Sequence, residues 1–176
     1  MSQKILIVID MQNDFVGGVL GNEETRAVAE RVADAVNHFD GDIIFTKDTH
    51  GTDYLKTQEG KNLPVEHCIE GTKGWELIEP LEKMQKDKHA AVYTKGTFGC
   101  ISLARDLRER NERERIEEIV LVGVCTDICV VSNALLIKAL LPEVLVSCLA
   151  DCCAGVTPEK HAAALETMRS CQVNVI

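Results

Sequence analysis

Ile5-Leu6-Ile7-Val8-Ile9 constrains this chain more than any other stretch: it is a continuous apolar run closed abruptly by Asp10. A strand with one wet face would alternate polar and apolar residues. An unbroken run of this length reads instead as a strand covered on both faces, the signature of the centre of a parallel sheet.

The remainder of the chain alternates helices and strands in the way a parallel sheet requires. After a loop at Asn13–Gly18, a helix is expected from about Glu23, with Asn22 as its cap. Ala27, Val28, Val32, Ala35, Val36 and Phe39 form its inner stripe. Strands follow at Asp42–Thr46, Ala90–Thr94, Ile119–Val122, Glu143–Cys148 and Val173–Ile176. Helices are expected at Gly74–Met84, Cys100–Arg115 (charged, a solvated face), Val130–Leu141 (apolar, buried) and Thr157–Ser170. Thr157 followed by Pro158 is a cap with proline at the first helical position. The predicted fold is α/β: a doubly wound, mostly parallel six-stranded sheet with helices on both faces, forming one domain over residues 1–176.

Composition narrows the class of function. With 176 residues and 45% hydrophobic content the chain can bury one real core. A net charge of -9 without a Lys/Arg-rich cluster argues against a nucleic acid partner, and no stretch is long and apolar enough for a membrane span. Eight cysteines could build a disulfide scaffold, but Met1-Ser2-Gln3-Lys4 leads into a strand and not into a signal-peptide core. Free thiols in a cytoplasmic protein are therefore expected.

Ligands of open parallel sheets sit at the carboxyl ends of strands. Asp10 closes the first strand, Lys95 follows the third, and Cys129 lies just beyond Ile119–Val122. Gly123 permits an unusual turn there, and Thr126 and Asp127 are cap types, which puts Cys129 in or near a first helical turn. Such a position lowers a thiol pKa and offers free N–H groups to an oxyanion. Singly, Asp10 could cap a helix, Lys95 could be solvated and Cys129 could be packing. Together a carboxylate, an ammonium and a thiol form a set able to shuttle a proton and attack a carbonyl.

Gly51–Gly74 is the longest irregular segment and, with the end of the second strand, carries Asp48, His50, Asp53, Glu59, Glu66 and His67. Cys148, Cys152 and Cys153 lie close in sequence, but their spacing does not match a four-ligand zinc pattern and reads as packing.

These residues resemble the isochorismatase-like cysteine hydrolases, and within them the nicotinamidases. Asp10-Met11-Gln12-Asn13-Asp14-Phe15 matches the opening motif, Lys95-Gly96 the lysine motif, and Gly123 to Val130 the nucleophile motif. The resemblance implies a triad of Asp10, Lys95 and Cys129, a cis peptide before Cys125, and an oxyanion hole from the backbone N–H groups of Cys125 and Cys129. It implies one divalent metal ion, Zn²⁺ in the first place with Fe²⁺ or Mn²⁺ as alternatives, held by Asp48, His50 and His67. Glu59 is a fourth ligand by the same resemblance, with Glu66 its rival. Phe15, Leu63 and Phe98 become the walls for a substrate ring. Leu63 replaces a tryptophan common in nicotinamidases, and one extra residue separates Pro64 from His67.

The implied reaction is hydrolysis of nicotinamide to nicotinate and ammonia through a Cys129 thioester, a step of NAD salvage. The partner is then a small-molecule amide substrate; a homo-oligomer is left open. Lys47 and Lys95 are the only cations expected near the site, which disfavours a dianionic substrate such as isochorismate. Two alternatives stay open: a related amidohydrolase acting on another small amide or carbamoyl compound, and a non-enzymatic metal-binding protein.

Overall fold

The computed structural model describes residues 3–176, so Met1 and Ser2 lie outside the described residues. Strand β1 (Gln3–Ile9) runs beside β2 (Asp42–Asp48) on one side and β4 (Ile116–Val124) on the other. With β3 (Ala91–Lys95), β5 (Leu145–Ala154) and β6 (Asn174–Val175) they form a six-stranded sheet in the order β3-β2-β1-β4-β5-β6, every pair parallel.

The apolar run of β1 does what its composition demands. Ile5, Leu6, Ile7, Val8 and Ile9 are all fully buried. Ile5, Ile7 and Ile9 pack with α6 (Ile101–Arg113), α7 (Val131–Leu140) and α8 (Pro158–Ser170). Leu6 and Val8 face the other way, toward α3 (Ala29–His38) and α5 (Glu79–Asp87). Chain order runs outward from β1 to β3 and then jumps back to β4. The reversal between β1 and β4 opens a crevice at their carboxyl ends, where open sheets place ligands.

Several elements differ from the sequence reading. Asn13–Gly18 is not all loop, because Asn13–Val16 forms the short helix α1. The helix expected from Glu23 is broken at Val28 into α2 (Glu23–Ala27) and α3; Asn22 does cap α2, in a capping box with Thr25. The long segment holds a 3-10 turn at Tyr54–Lys56 and helix α4 (Gln58–Asn62), with Thr57 capping the latter. Helix α5 starts later than expected, at Glu79, with Pro80 in its first turn. Strand β5 continues past Cys148 because its register jumps from Leu121↔Cys148 to Gly123↔Cys153, a bulge that hides any strand periodicity. Helix α7 is half-buried: Asn133, Ala134 and Ile137 are its buried residues. No helix among the described residues is long and apolar enough to cross a membrane.

Candidate active site

Four neighbouring strands deliver four functional side chains to one edge: Lys95 from β3, Asp48 from β2, Asp10 from β1, and Cys129 from the turn after β4. The turn depends on Gly123, whose φ of 117° lies in the region L side chains avoid. A Cβ there would stand 2.1 Å from the Ile9 carbonyl oxygen, so only glycine lets β1 and β4 remain paired. The Val124–Cys125 peptide is cis.

Beyond it the chain forms a π-type turn at Thr126–Val130, in which the Cys125 carbonyl accepts from the Val130 N–H at 3.1 Å. Thr126 and Asp127 therefore do not cap an α-helix, contrary to expectation. Thr126 Oγ1 pairs with His161 Nδ1 at 2.8 Å, and Asp127 Oδ1 accepts from the Val156 N–H at 2.9 Å. Both tie the turn to the start of α8.

The expected triad is together. Lys95 Nζ lies 2.6 Å from Asp10 Oδ2 and donates to Cys129 Sγ at 3.4 Å. Asp10 Oδ1 accepts from Thr46 Oγ1 at 2.6 Å, which orients the carboxylate. All three side chains are buried. Burial raises the Asp10 carboxyl above the usual range against the pull of Lys95. Burial would lower Lys95, but the charges of Asp10, Cys129 and Asp48 prevail and hold it as an ammonium.

Cys129 corrects the sequence reading. Burial, and then the Asp10 charge and hydrogen bond, push its thiol well above the ordinary value, with Lys95 opposing. That direction is opposite to the one a helix N-terminus alone would favour.

The second group converges as well. Ligand atoms of Asp48, His50, Glu59 and His67 all lie within 4.8 Å of one another. His50 Nε2 is 2.9 Å and His67 Nε2 3.4 Å from Asp48 Oδ2; Glu59 Oε1 is 3.6 Å and 3.7 Å from the same two nitrogens. His67 Nδ1 lies 2.8 Å from the Val65 carbonyl, which can only accept, so Nδ1 carries the proton and Nε2 of the neutral ring offers a lone pair. Two imidazole nitrogens and two carboxylates in a buried cluster fit a divalent ion such as zinc. Glu66 is exposed and stands outside the cluster, whereas Glu59 is part of it.

A cavity of about 290 Å³ joins the two groups. Cys125 and Cys129 line it together with Asp48, Glu59 and His67; Phe15, Leu63 and Phe98 are among its walls. Sequence reasoning missed Leu20, Ile128, Val156 and Lys160 in that lining. Lys47, expected near the site, is turned to the α3/α5 face with its ammonium 2.9 Å from the Trp75 ring centroid. The exposed Lys160 takes its place at the cavity, brought there by the start of α8. A larger groove of about 600 Å³ beside β3 and α6 holds no comparable set. Its Arg110 pairs with Asp42, and its Tyr93 hydroxyl donates to Asp106.

Two buried amides that sequence reasoning gave no role fix the site. Gln12 donates to the Asp48 and Trp75 carbonyls and accepts from the Asp48 N–H at 2.7 Å, clamping the end of β2. Asn133 donates to the Cys129 carbonyl at 2.8 Å and the Phe98 carbonyl at 3.1 Å, and accepts from the Cys100 N–H at 2.8 Å. Asn133 was detectable as a polar residue inside an otherwise apolar helix run. Gln12 left no such mark. The trio Cys148, Cys152 and Cys153 does not converge: Cys148 and Cys153 sulfurs are 3.6 Å apart, while Cys152 turns to the Arg31 carbonyl.

A parallel sheet with this switch point, bearing a buried Asp–Lys–Cys set beside a two-histidine, two-carboxylate cluster, defines an isochorismatase-like α/β protein. The isochorismatase domain model matches residues 4–176, and the chain belongs to that family. It is 30% identical over 189 residues to a nicotinamidase/pyrazinamidase of Mycobacterium tuberculosis, covering 98% of each. A crystal structure of a nicotinamidase/pyrazinamidase from Bacillus subtilis is similar at TM-score 0.84, with 28% identity over 98% of each chain. The structure of a pyrazinamidase from Pyrococcus horikoshii, in complex with zinc, is similar at TM-score 0.81, with 26% identity over 99% of this chain and 98% of that one.

Proposed function

We propose that this chain is a cytoplasmic, single-domain, metal-dependent cysteine amidohydrolase that converts nicotinamide to nicotinate and ammonia. The observation that carries the reading is that one cavity is lined both by Cys129 and by Asp48, Glu59 and His67. A flat heteroaromatic amide would occupy this cavity with its carboxamide at the thiol.

Asp10 removes the Cys129 proton as sulfur attacks the carboxamide carbon. Its raised pKa makes it the stronger base, and the Lys95 ammonium steadies the charge passing between the two. The backbone N–H groups of Cys125 and Cys129 receive the oxyanion. The C–N bond then breaks as Asp10 returns the proton to nitrogen, releasing ammonia and leaving a thioester. Water, deprotonated by Asp10, attacks that thioester. The C–S bond breaks, nicotinate leaves, and the proton returns to Cys129. Phe15, Leu63 and Phe98 hold the ring. Asp48, His50, Glu59 and His67 would hold a divalent ion, Zn²⁺ by donor type, which when bound supplies a Lewis-acid position for a pyridine nitrogen.

Benzamide tests this reading, since it keeps the amide and the ring but lacks the nitrogen. Ammonia release from benzamide should have a kcat/KM lower than that from nicotinamide by about a hundredfold or more. Equal values would leave an amidohydrolase of another substrate as the better description.

A further inference from the structure

Asp14 lies in the first turn of α1, just beyond the end of β1 that delivers Asp10. It does not line the cavity and is not one of the four candidate ligands. Its Oδ2 nonetheless accepts from the backbone N–H of Cys68 at 2.8 Å, across 54 residues of sequence. That N–H belongs to the planar peptide unit that joins His67 to Cys68, so holding it fixes the plane from which His67 departs. Cys68 has a φ of 47°, in the left-handed region that residues other than glycine rarely adopt, and its side chain is fully buried. Its carbonyl accepts from the His50 N–H at 3.0 Å, and the His50 carbonyl accepts from the Glu70 N–H at 2.9 Å. One residue thus ties together the backbones of both histidines, and Asp14 holds that residue by its N–H.

Gly74 keeps open the space that the carboxylate occupies. The Asp14 N–H donates to the Gly74 carbonyl at 3.0 Å, which brings the two backbones face to face. A Cβ on Gly74 would stand 2.1 Å from Asp14 Oδ2. The φ of Gly74 is not in the left-handed region, so what this glycine supplies is room for the carboxylate and not a turn. We infer that Asp14 is a positioning residue for the metal site. Through the Cys68 N–H its carboxylate sets the backbone of His67, and through the Cys68 carbonyl that of His50, so that both present their nitrogens together. The inference rests on the reading of Asp48, His50, Glu59 and His67 as metal ligands. Groups that orient a ligand without touching the metal account for about ten- to a hundredfold in metal affinity.

The test takes the full chain, freed of metal and then titrated with zinc. It reads the zinc dissociation constant by competition with a chromophoric chelator, and the melting temperature with and without zinc. Asp14→Ala removes the acceptor and should raise the dissociation constant about tenfold or more. Asp14→Asn keeps an acceptor oxygen in the same place and should restore most of that loss. Gly74→Ala leaves Asp14 in the chain but drives its carboxylate off the Cys68 N–H, so it should weaken zinc binding as Asp14→Ala does. Combining Asp14→Ala with Gly74→Ala should cost no more than either alone. The rise in melting temperature on adding zinc should shrink in the same variants. Gly74→Ala carries the test should Asp14→Ala fail to fold. A carboxylate that only supports the fold would lower both melting temperatures together and leave the zinc constant at the wild-type value. That result overturns the inference and leaves the metal site standing. Zinc binding as weak in Asp14→Asn as in Asp14→Ala also overturns it. Wild-type protein that takes up no zinc overturns the reading beneath it.

Discussion

Asp48 and Lys95 stand opposite each other in the β2–β3 register, and Asp48 Oδ1 lies 3.6 Å from Lys95 Nζ. The other oxygen of the same carboxylate faces His50 and His67. One aspartate thus joins the two halves of the site. Burial would raise its pKa, but hydrogen bonds to the two histidines and the Lys95 charge outweigh burial and keep it ionised.

Asp48→Ala and His67→Ala should each lose bound zinc and most amide hydrolysis while far-ultraviolet circular dichroism stays that of the wild type. The cluster sits at a strand end and in the segment after it, outside the two apolar cores. Metal analysis of the purified variants checks this; full zinc content in either would remove that residue from the ligand set.

Zinc occupancy should fall with acid. Burial lowers His67, but Asp48, the Val65 carbonyl and Glu59 together raise it above its ordinary value. A protonated imidazole has no lone pair to give, so protons displace the ion as pH drops, starting above the ordinary histidine value of about 6.5. Zinc per chain measured at limiting free zinc across pH checks the sign. Occupancy that rises on acidification contradicts it.

Cys129→Ala should lower kcat/KM for nicotinamide by about a thousandfold or more, as removal of a nucleophile does. Cys125→Ala should stay active, since only its backbone is given a role. Alkylation should follow the raised thiol: the rate of iodoacetamide labelling at Cys129 should still climb with pH beyond the ordinary thiol value of about 8.5. Asp10→Asn removes a charge that raises the thiol while Lys95 remains, so labelling should move to lower pH. Peptide mass mapping reads both, and a labelling plateau at neutral pH in the wild type would be the contrary result.

Asn133→Ala should act through position. It leaves the Cys129 and Phe98 carbonyls and the Cys100 N–H without the partner they have now. A loss of about 1–2 kcal/mol in holding the turn corresponds to a fall in kcat of about five- to thirtyfold, with KM changed less. Steady-state kinetics on nicotinamide, with the melting temperature recorded beside them, separate this from simple instability.

What the sequence disclosed followed from local signals. The β1 run, the Asn22 and Thr157 caps and the placing of Asp10, Asp48 and Lys95 at strand ends depend on neighbours in the chain, and the structure has them where the sequence puts them. Lys160 and Lys47 show where such reasoning stops. Lys47 adjoins Asp48 in β2 and so points to the opposite face, which strand alternation alone requires. Lys160, by contrast, reaches the cavity only through how α8 docks on the turn after β4, which is not a local property. The surroundings of the Cys129 thiol are likewise not a local property. The sequence shows a helix start, whereas burial and the nearness of Asp10, which appear only in three dimensions, set the proton affinity.

The most direct test of the central claim is product analysis with the purified, zinc-loaded protein and nicotinamide as sole substrate. Ammonia and nicotinate should appear in equal amounts, with nicotinoyl trapped on the Cys129 peptide when the reaction is quenched in acid. Protein with zinc bound and Cys129 fully reduced that releases neither product would contradict the account.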